Sequence, residues 1–414
     1  MSETLAENVA EFCNELLAKV QALKEEGKWK GPQETLNLEV IQKMKETGVY
    51  SELREQIISI RKVPERLIDM WLDALTIRIL SESIETGPEN INVDSLIHAF
   101  VSDVNDDPTE VMITTYISGI KMNVKMIKLG EGVSLRSQTD RDSERLFGNP
   151  FSMFDLFNVS AVLEVVTTQK IQIGISPMSK TYIMLLLLFR KGSVHEVRTF
   201  WRANSIFRVF WGEQVNTTPP PISAPHEEYP FNEEDRNRFT KFAERLKTKL
   251  PIDEKTGDLL VSDYKGISIA RYQDAVLKNE DQINRIAYAT MGLEALFLRR
   301  GETNELKFRL SVRVGKFMQI ITGDNALDVL KTVKEAYDIR SSFVHGSTGE
   351  EKGTDNTIIL DKVSDYLRKS IVVFLSLENK KKDDVLTLLD HSLLDQKADK
   401  ELRELLSDSL ELIN

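Results

Sequence analysis

A chain of 414 residues is too long for one ordinary hydrophobic core and is expected to fold as more than one domain. Its 41% hydrophobic residues and formal charge of −11 exclude a basic nucleic-acid coat, so any surface for a polyanion has to be local. Cys13 is the only cysteine, which excludes a disulfide framework or a cysteine-based zinc site within one chain and fits a reducing cytoplasm. No basic-then-apolar leader opens the sequence, and the longest apolar run, 182–189, is too short to span a bilayer; a cytoplasmic protein without a membrane partner is expected.

From 4 to 104 the patterning is helical. Leu5, Val9, Phe12, Leu16 and Val20 recur at the three-and-four spacing of a buried stripe, and Pro64 opens a second helix through Ile68, Trp71, Leu72, Leu75 and Ile79. A helical N-terminal region over 1–104 follows. From 110 to 211 the period changes to two, most clearly where Ile120, Met122, Val124 and Met126 alternate with Lys121, Asn123 and Lys125. With further strand candidates at 162–168, 181–190 and 197–211 and a short helix around 142–146, this predicts a strand-rich α+β domain over 105–217. Pro219, Pro220, Pro221, Pro225 and Pro230 then break regular structure, marking a linker at 218–234.

Beyond the prolines, helices are predicted near 232–250, 267–298 with an interruption around 279–282, 305–321, 326–345, 356–377 and 400–412. Lys380-Lys381-Lys382 before Asp383-Asp384 reads as a solvated turn. The fold class expected is α+β, multidomain and mainly α, with an all-helical bundle over 235–414.

The stretch Arg340-Ser341-Ser342-Phe343-Val344-His345-Gly346 carries the chemistry. Leu330, Val333, Tyr337 and Val344 follow a buried stripe, Gly346 stops the helix, and Arg340 falls on the stripe where an apolar residue was due. A guanidinium cannot shed its proton and is costly to bury unpaired, so this position asks for a partner anion, a partner subunit or a phosphate. His345 would sit in the negative field of the helix C-terminus, which favours its protonated form and keeps it able to exchange a proton near neutral pH. On an ideal helix the two point about 140° apart and are separated by about 7.5 Å along the axis. They meet at one phosphate if the last turn unwinds, or if a second chain brings its own pair alongside under two-fold symmetry. Asp338 and Ser341 share the face of His345 and are candidates to orient its imidazole or bind a nearby hydroxyl. On spacing alone the bland reading stays open: an arginine near a helix end also pairs with Glu335 or a carbonyl, and a histidine before glycine caps a helix.

The run from Tyr337 to Gly346 resembles the signature of HEPN domains, all-helical modules whose Arg-x4-6-His motif carries RNA cleavage without metal in many members. Within that superfamily it is most similar to the Apea-like branch, as are Met291-Gly292-Leu293-Glu294-Ala295-Leu296-Phe297 and the run Glu305-Leu306-Lys307-Phe308-Arg309-Leu310-Ser311-Val312-Arg313-Val314 upstream. The resemblance covers the chain from about Phe231 onward. In many active members the residue after the arginine is Asn, Asp or His; Ser341 keeps a hydroxyl without a charge. The resemblance implies an RNA endonuclease with Arg340 and His345 as the catalytic pair, no cofactor and no metal, and a homodimer formed through the C-terminal helical domain. It further implies a prokaryotic defence or stress effector, whose N-terminal half would sense a phage-derived or cellular trigger. The alternative from another class is a non-catalytic module that dimerises and holds RNA or nucleotide.

Two other groups compete for an RNA-binding role. Arg309, Arg313 and Lys316 fall at i, i+4 and i+7, a basic line on one helix face that could track a phosphate backbone, or equally a solvated face paired with Glu302 and Glu305. The interleaved aromatics and arginines over 198–211 resemble a base-stacking platform, and more commonly form a strand with one face on a core. His98, His195, His226 and His391 have no partners at metal-ligand spacing. A phosphate-binding GxxxxGK[ST] loop, a GxSxG elbow and an HExxH helix are all absent from the sequence.

Overall fold

The first apolar stripe becomes the buried edge of helix α1 (Ser2–Glu25), with Leu5, Val9, Phe12, Leu16 and Val20 fully removed from solvent. The computed structural model describes residues 2–27, 34–61, 63–105, 107, 109–140, 142, 159–169, 177–203, 206, 227–344, 355–377 and 380–413. The chain divides into two units, one of Met1–Met112, Val166–Ile173 and Phe200–Val215, the other of Ile113–Val165, Gly174–Thr199 and Asn216–Asn414.

In the first unit α1 is followed by α2 (Glu34–Lys45), α3 (Gly48–Ile60), α4 (Glu65–Thr86), a 3-10 turn at Pro88–Asn90 and α5 (Val93–Asn105). The Thr47 hydroxyl accepts from the Tyr50 amide and so caps α3; Pro64, as the sequence pattern requires, precedes α4. Phe12, Leu53, Ile57, Leu72, Leu75, Ile79 and Phe100 form its core.

Strand β3 (Met126–Gly130) pairs antiparallel with β4 (Val133–Arg136), which pairs antiparallel with β5 (Ala161–Gln169). With β1 (Thr109–Ser118) and β6 (His195–Ala203) these make a five-stranded sheet in the order β3-β4-β5-β1-β6, while β2 (Ile120–Met122) pairs in parallel with β7 (Tyr229–Phe231) in a separate ribbon. The alternation over 120–126 is thus two strands, not one. Bends at 123–125 shift the phase, so Met126 is exposed and Ile127 and Leu129 are buried.

The strand expected at 181–190 is a helix, α6 (Pro177–Phe189). A continuous apolar run has no period, so it fits a strand buried on both faces or a helix buried all round; Met184 to Leu188 are buried on every side, and the helix wins. No helix among the described residues is long and apolar enough to cross a membrane. The helix expected around 142–146 and the prolines at 219–225 lie outside the described residues except for Asp142.

From 233 onward the described residues are helical apart from one antiparallel bridge between Ile252 and Leu259: α7 (Glu233–Leu246), α8 (Tyr264–Leu277), α9 (Gln282–Phe297), α10 (Leu306–Thr322), α11 (Ala326–Val344), α12 (Asn356–Ser376), α13 (Lys382–His391), α14 (Gln396–Ser407) and α15 (Leu410–Ile413). The expected break near 279–282 separates α8 from α9, with Asp281 capping α9. Helix α9 packs against α8, α11 and α12, and α10 against α11. The rings of Phe297, Phe317 and Phe374 meet at 5.1 to 5.7 Å between centroids at the middle of this bundle. Glycine at 292 lets α12 approach closely, since a Cβ there would stand 2.5 Å from Leu367 Cδ2 and force that side chain to shift.

Candidate functional site

Helix α11 buries Val329, Thr332, Val333 and Ala336. The buried line 329-333-336 advances by four to reach Arg340, so the guanidinium does stand on the core-facing seam. Val344, expected on that seam, is instead 51% exposed, because the seam drifts round the helix by the end of α11.

Arg340 leaves 26% of its side chain exposed and donates through Nη2 to Glu294 Oε2 of α9 at 3.0 Å. Its Cζ lies 5.9 Å from the Tyr337 ring centroid, and its Nε is sealed from solvent without an acceptor. One of its five N–H donors is therefore bonded among the described residues. Burial pushes the Glu294 carboxyl above its ordinary value, and the attraction of Arg340 offsets only part of that. Burial also raises the Tyr337 phenol, with the Glu294 charge acting in the same direction. One turn on, Phe343 meets the edge of Tyr288 of α9 at 6.4 Å, and Tyr288 carries the Lys278 ammonium 4.8 Å above its ring.

Asp338 is exposed and already engaged: Lys307 of α10 donates to both of its oxygens, at 2.5 and 2.7 Å. Ser341 is half-buried. His345 lies outside the described residues.

The basic line on α10 pairs with Glu302, as the second of the two sequence readings has it, with Asp390 and Asp399 in place of Glu305. Arg309, Arg313 and Lys316 do share a face, and each is paired with an acidic side chain, the Arg309 side chain remaining 42% exposed. Arg313 is 2% exposed and spends all five donors: Nε and Nη2 on Asp390, Nη1 and Nη2 on Glu302, and Nη1 on the Phe297 carbonyl, at 2.7 to 2.9 Å. No donor is left for a phosphate. Arg309 reaches Glu302 at 3.3 Å, and Lys316 reaches Asp399 at 2.7 Å. Hydrogen bonds from Arg313, aided by the Arg299 amide, lower the Glu302 carboxyl to about 2 against the cost of burial. Arg313 and Lys316 tie α10 to α13, α14 and the 299–302 turn, while Arg309 stays partly exposed at the edge of this network.

Lys382 also corrects the sequence reading. It begins α13, which was not expected, and its ammonium is half-buried, donating to the Ala295 carbonyl at 2.6 Å and to that of Leu298. It thus closes the C-terminal end of α9, where unpaired carbonyls attract a cation. Burial lowers its pKa from the ordinary lysine value. In the 198–211 segment, Arg198 and Phe200 are buried on β6, and Phe207 to Trp211 lie outside the described residues. His195 is buried with Nδ1 2.7 Å from the Ser193 carbonyl, His98 and His391 are exposed, and His226 lies outside the described residues.

No family model matches the chain, and no curated protein or solved structure matches it. Glu294 and Tyr337 are the site residues that the sequence pattern passed over. Glu294 stood in the quoted helix without a role, and nothing local marks it, since its partner is 46 residues away.

Proposed function

We propose that the chain is a metal-independent RNA endonuclease of HEPN type, acting through Arg340 and His345 at a dimer interface. The observation that carries this reading is the guanidinium of Arg340, which makes one hydrogen bond among the described residues and keeps an Nε without an acceptor. A cation placed on a core-facing seam with one hydrogen bond is stabilised by an anion that binds there, and its planar fork matches two phosphate oxygens. The motif places His345 five positions on.

The reaction is an internal transesterification. The RNA 2′-oxygen attacks the adjacent phosphorus, the bond to the 5′-oxygen breaks, the 2′-hydroxyl proton passes to a base, and the leaving 5′-oxygen takes up a proton. His345 serves as general base or acid, and Arg340 stabilises charge developing on the non-bridging oxygens. The products are a 2′,3′-cyclic phosphate and a 5′-hydroxyl, and DNA survives for want of the 2′-hydroxyl. Asp338 and Ser341 support His345 in this scheme, and Asp338 does so only after exchanging its Lys307 partner. The N-terminal half is assigned the sensing of a phage-derived or cellular trigger in a cytoplasmic defence or stress response.

A second reading has its own observation. The Arg340–Glu294 ion pair joins α11 to α9, which would give the arginine a structural role in a non-catalytic RNA or nucleotide-binding dimer. Incubating the purified protein with RNA in excess chelator, then sequencing the ends, separates the two. Fragments ending in cyclic phosphate, absent for His345→Ala, support the nuclease; intact RNA at every protein concentration selects the binding module.

A further inference from the structure

Arg340 is poorly served by its surroundings for an arginine on a core-facing seam. Arg313 on the neighbouring helix shows a completed guanidinium, with five donors and an acceptor for each. Arg340 has Nη2 on Glu294 and no second hydrogen bond among the described residues, with Nε shut away from water and the guanidinium near the Tyr337 ring. The Glu294 end of this contact is equally poor. Its carboxylate is largely buried, receives one hydrogen bond among the described residues, and is not repaid by Arg340 for the water it has lost. A phosphodiester offers the guanidinium two oxygens in place of one.

We propose that the Glu294 carboxylate is a stand-in for the RNA phosphate, holding Arg340 through Nη2 in the free protein and giving up that position when a phosphodiester binds. This rests on reading Arg340 as the phosphate-binding residue. The arrangement has two consequences. It spares the free protein an unpaired cation at a helix seam, and it sets a threshold that a singly bonded anion does not pass, because any ligand has to outcompete a tethered carboxylate. Glu294 is then a positioning residue and an internal competitor, not a group that touches the reacting atoms.

The test uses binding, so that it does not depend on turnover. A fluorescein-labelled, single-stranded 2′-O-methyl RNA, which has no free 2′-hydroxyl to attack, is titrated with the full chain and followed by anisotropy. Glu294→Gln keeps the size and an acceptor oxygen but removes the competing charge, and it is expected to tighten binding about tenfold, or about 1.4 kcal/mol. Glu294→Asp, whose shorter arm draws the carboxylate back from Arg340, is expected to tighten it by less. Arg340→Ala is expected to weaken binding, and the gain from Glu294→Gln is expected to vanish in the Arg340→Ala background. Binding by Glu294→Gln and Glu294→Asp that is unchanged or weaker, in variants with the wild-type denaturation midpoint, overturns the stand-in role while leaving Arg340 as a phosphate site. Unchanged binding by Arg340→Ala overturns both.

Discussion

Glu302 lies between Arg309 and Arg313 and bonds to both, at 3.3 and 2.8 Å, so a basic line that looks like an RNA track is neutralised from within the fold. Arg340, on the next helix, has no such acidic surround. Arg313 and Arg340 differ in unspent donors: Arg313 has an acceptor for all five, and Arg340 for one among the described residues.

That difference predicts opposite phenotypes. Arg313→Met removes the buried partner of Glu302 and Asp390, leaving them only the more exposed Arg299 and, for Glu302, Arg309, and should cost about 3–5 kcal/mol in a urea titration, the usual consequence of breaking a buried ion pair from one side. Arg340→Met should lose less, about 1–3 kcal/mol, since it leaves one largely buried carboxylate without its partner while placing a side chain suited to the seam. Cleavage should fail in the second variant despite its smaller loss of stability. Arg340→Lys should fail too, because a point charge does not reproduce a two-pronged donor. Equal stability losses in the two Met variants would contradict the assignment.

Acid should attack the bundle first at Glu302. Its folded carboxyl sits at about 2, below the ordinary 4.5, so the stability it contributes is fully present above 4.5 and disappears as pH falls toward 2. The contribution is on the order of 3 kcal/mol for this 12%-exposed group. Thermal midpoints of the wild type and Glu302→Gln should differ at pH 6 and converge through that window. A gap that stays constant from pH 6 to pH 2 would rule out the Glu302 carboxylate as its source.

Backbone proximity makes a further, independent prediction. A Cβ at Gly266 would stand 1.8 Å from the Leu260 carbonyl oxygen, which no rotamer change relieves, so Gly266→Ala should cost about 2–3 kcal/mol by displacing the turn ahead of α8. Gly48, at the start of α3, has open space around its Cβ position and no positive φ. Gly48→Ala should stabilise by about 0.4–1 kcal/mol through the lost freedom of the unfolded chain. Urea titrations of both variants check the pair, and a neutral Gly266→Ala would show that the turn yields freely.

If the catalytic pair is completed across a two-fold axis, Arg340→Ala and His345→Ala chains should each be nearly inactive, yet their mixture should recover about a quarter of wild-type cleavage, since about half of the dimers are mixed and each rebuilds one site of two. Subunit exchange is followed by fluorescence energy transfer between labelled chains. A mixture that exchanges and stays inactive would place both residues of each site in one chain, or require both pairs together.

Local pattern by itself determined the helices whose apolar residues recur at helical spacing: Leu5 to Val20, the helix after Pro64, the break between α8 and α9, and the bounds of α10 to α12 to within a few residues. It also placed Arg340 on a core-facing seam, because helical geometry carries position 336 to 340 whatever surrounds it. Only the tertiary structure decided that 177–189 is a helix, since an apolar run has no period to read, and that a bend at 123–125 divides one alternation into two strands. The partners of the arginines likewise come from long range. Glu302 and Asp390 approach Arg313 from 11 residues upstream and 77 downstream, and Glu294 approaches Arg340 from 46 upstream. Spacing along one helix reports which side chains share a face; what covers that face depends on elements distant in sequence, and that cover distinguishes an internal salt bridge from an open site.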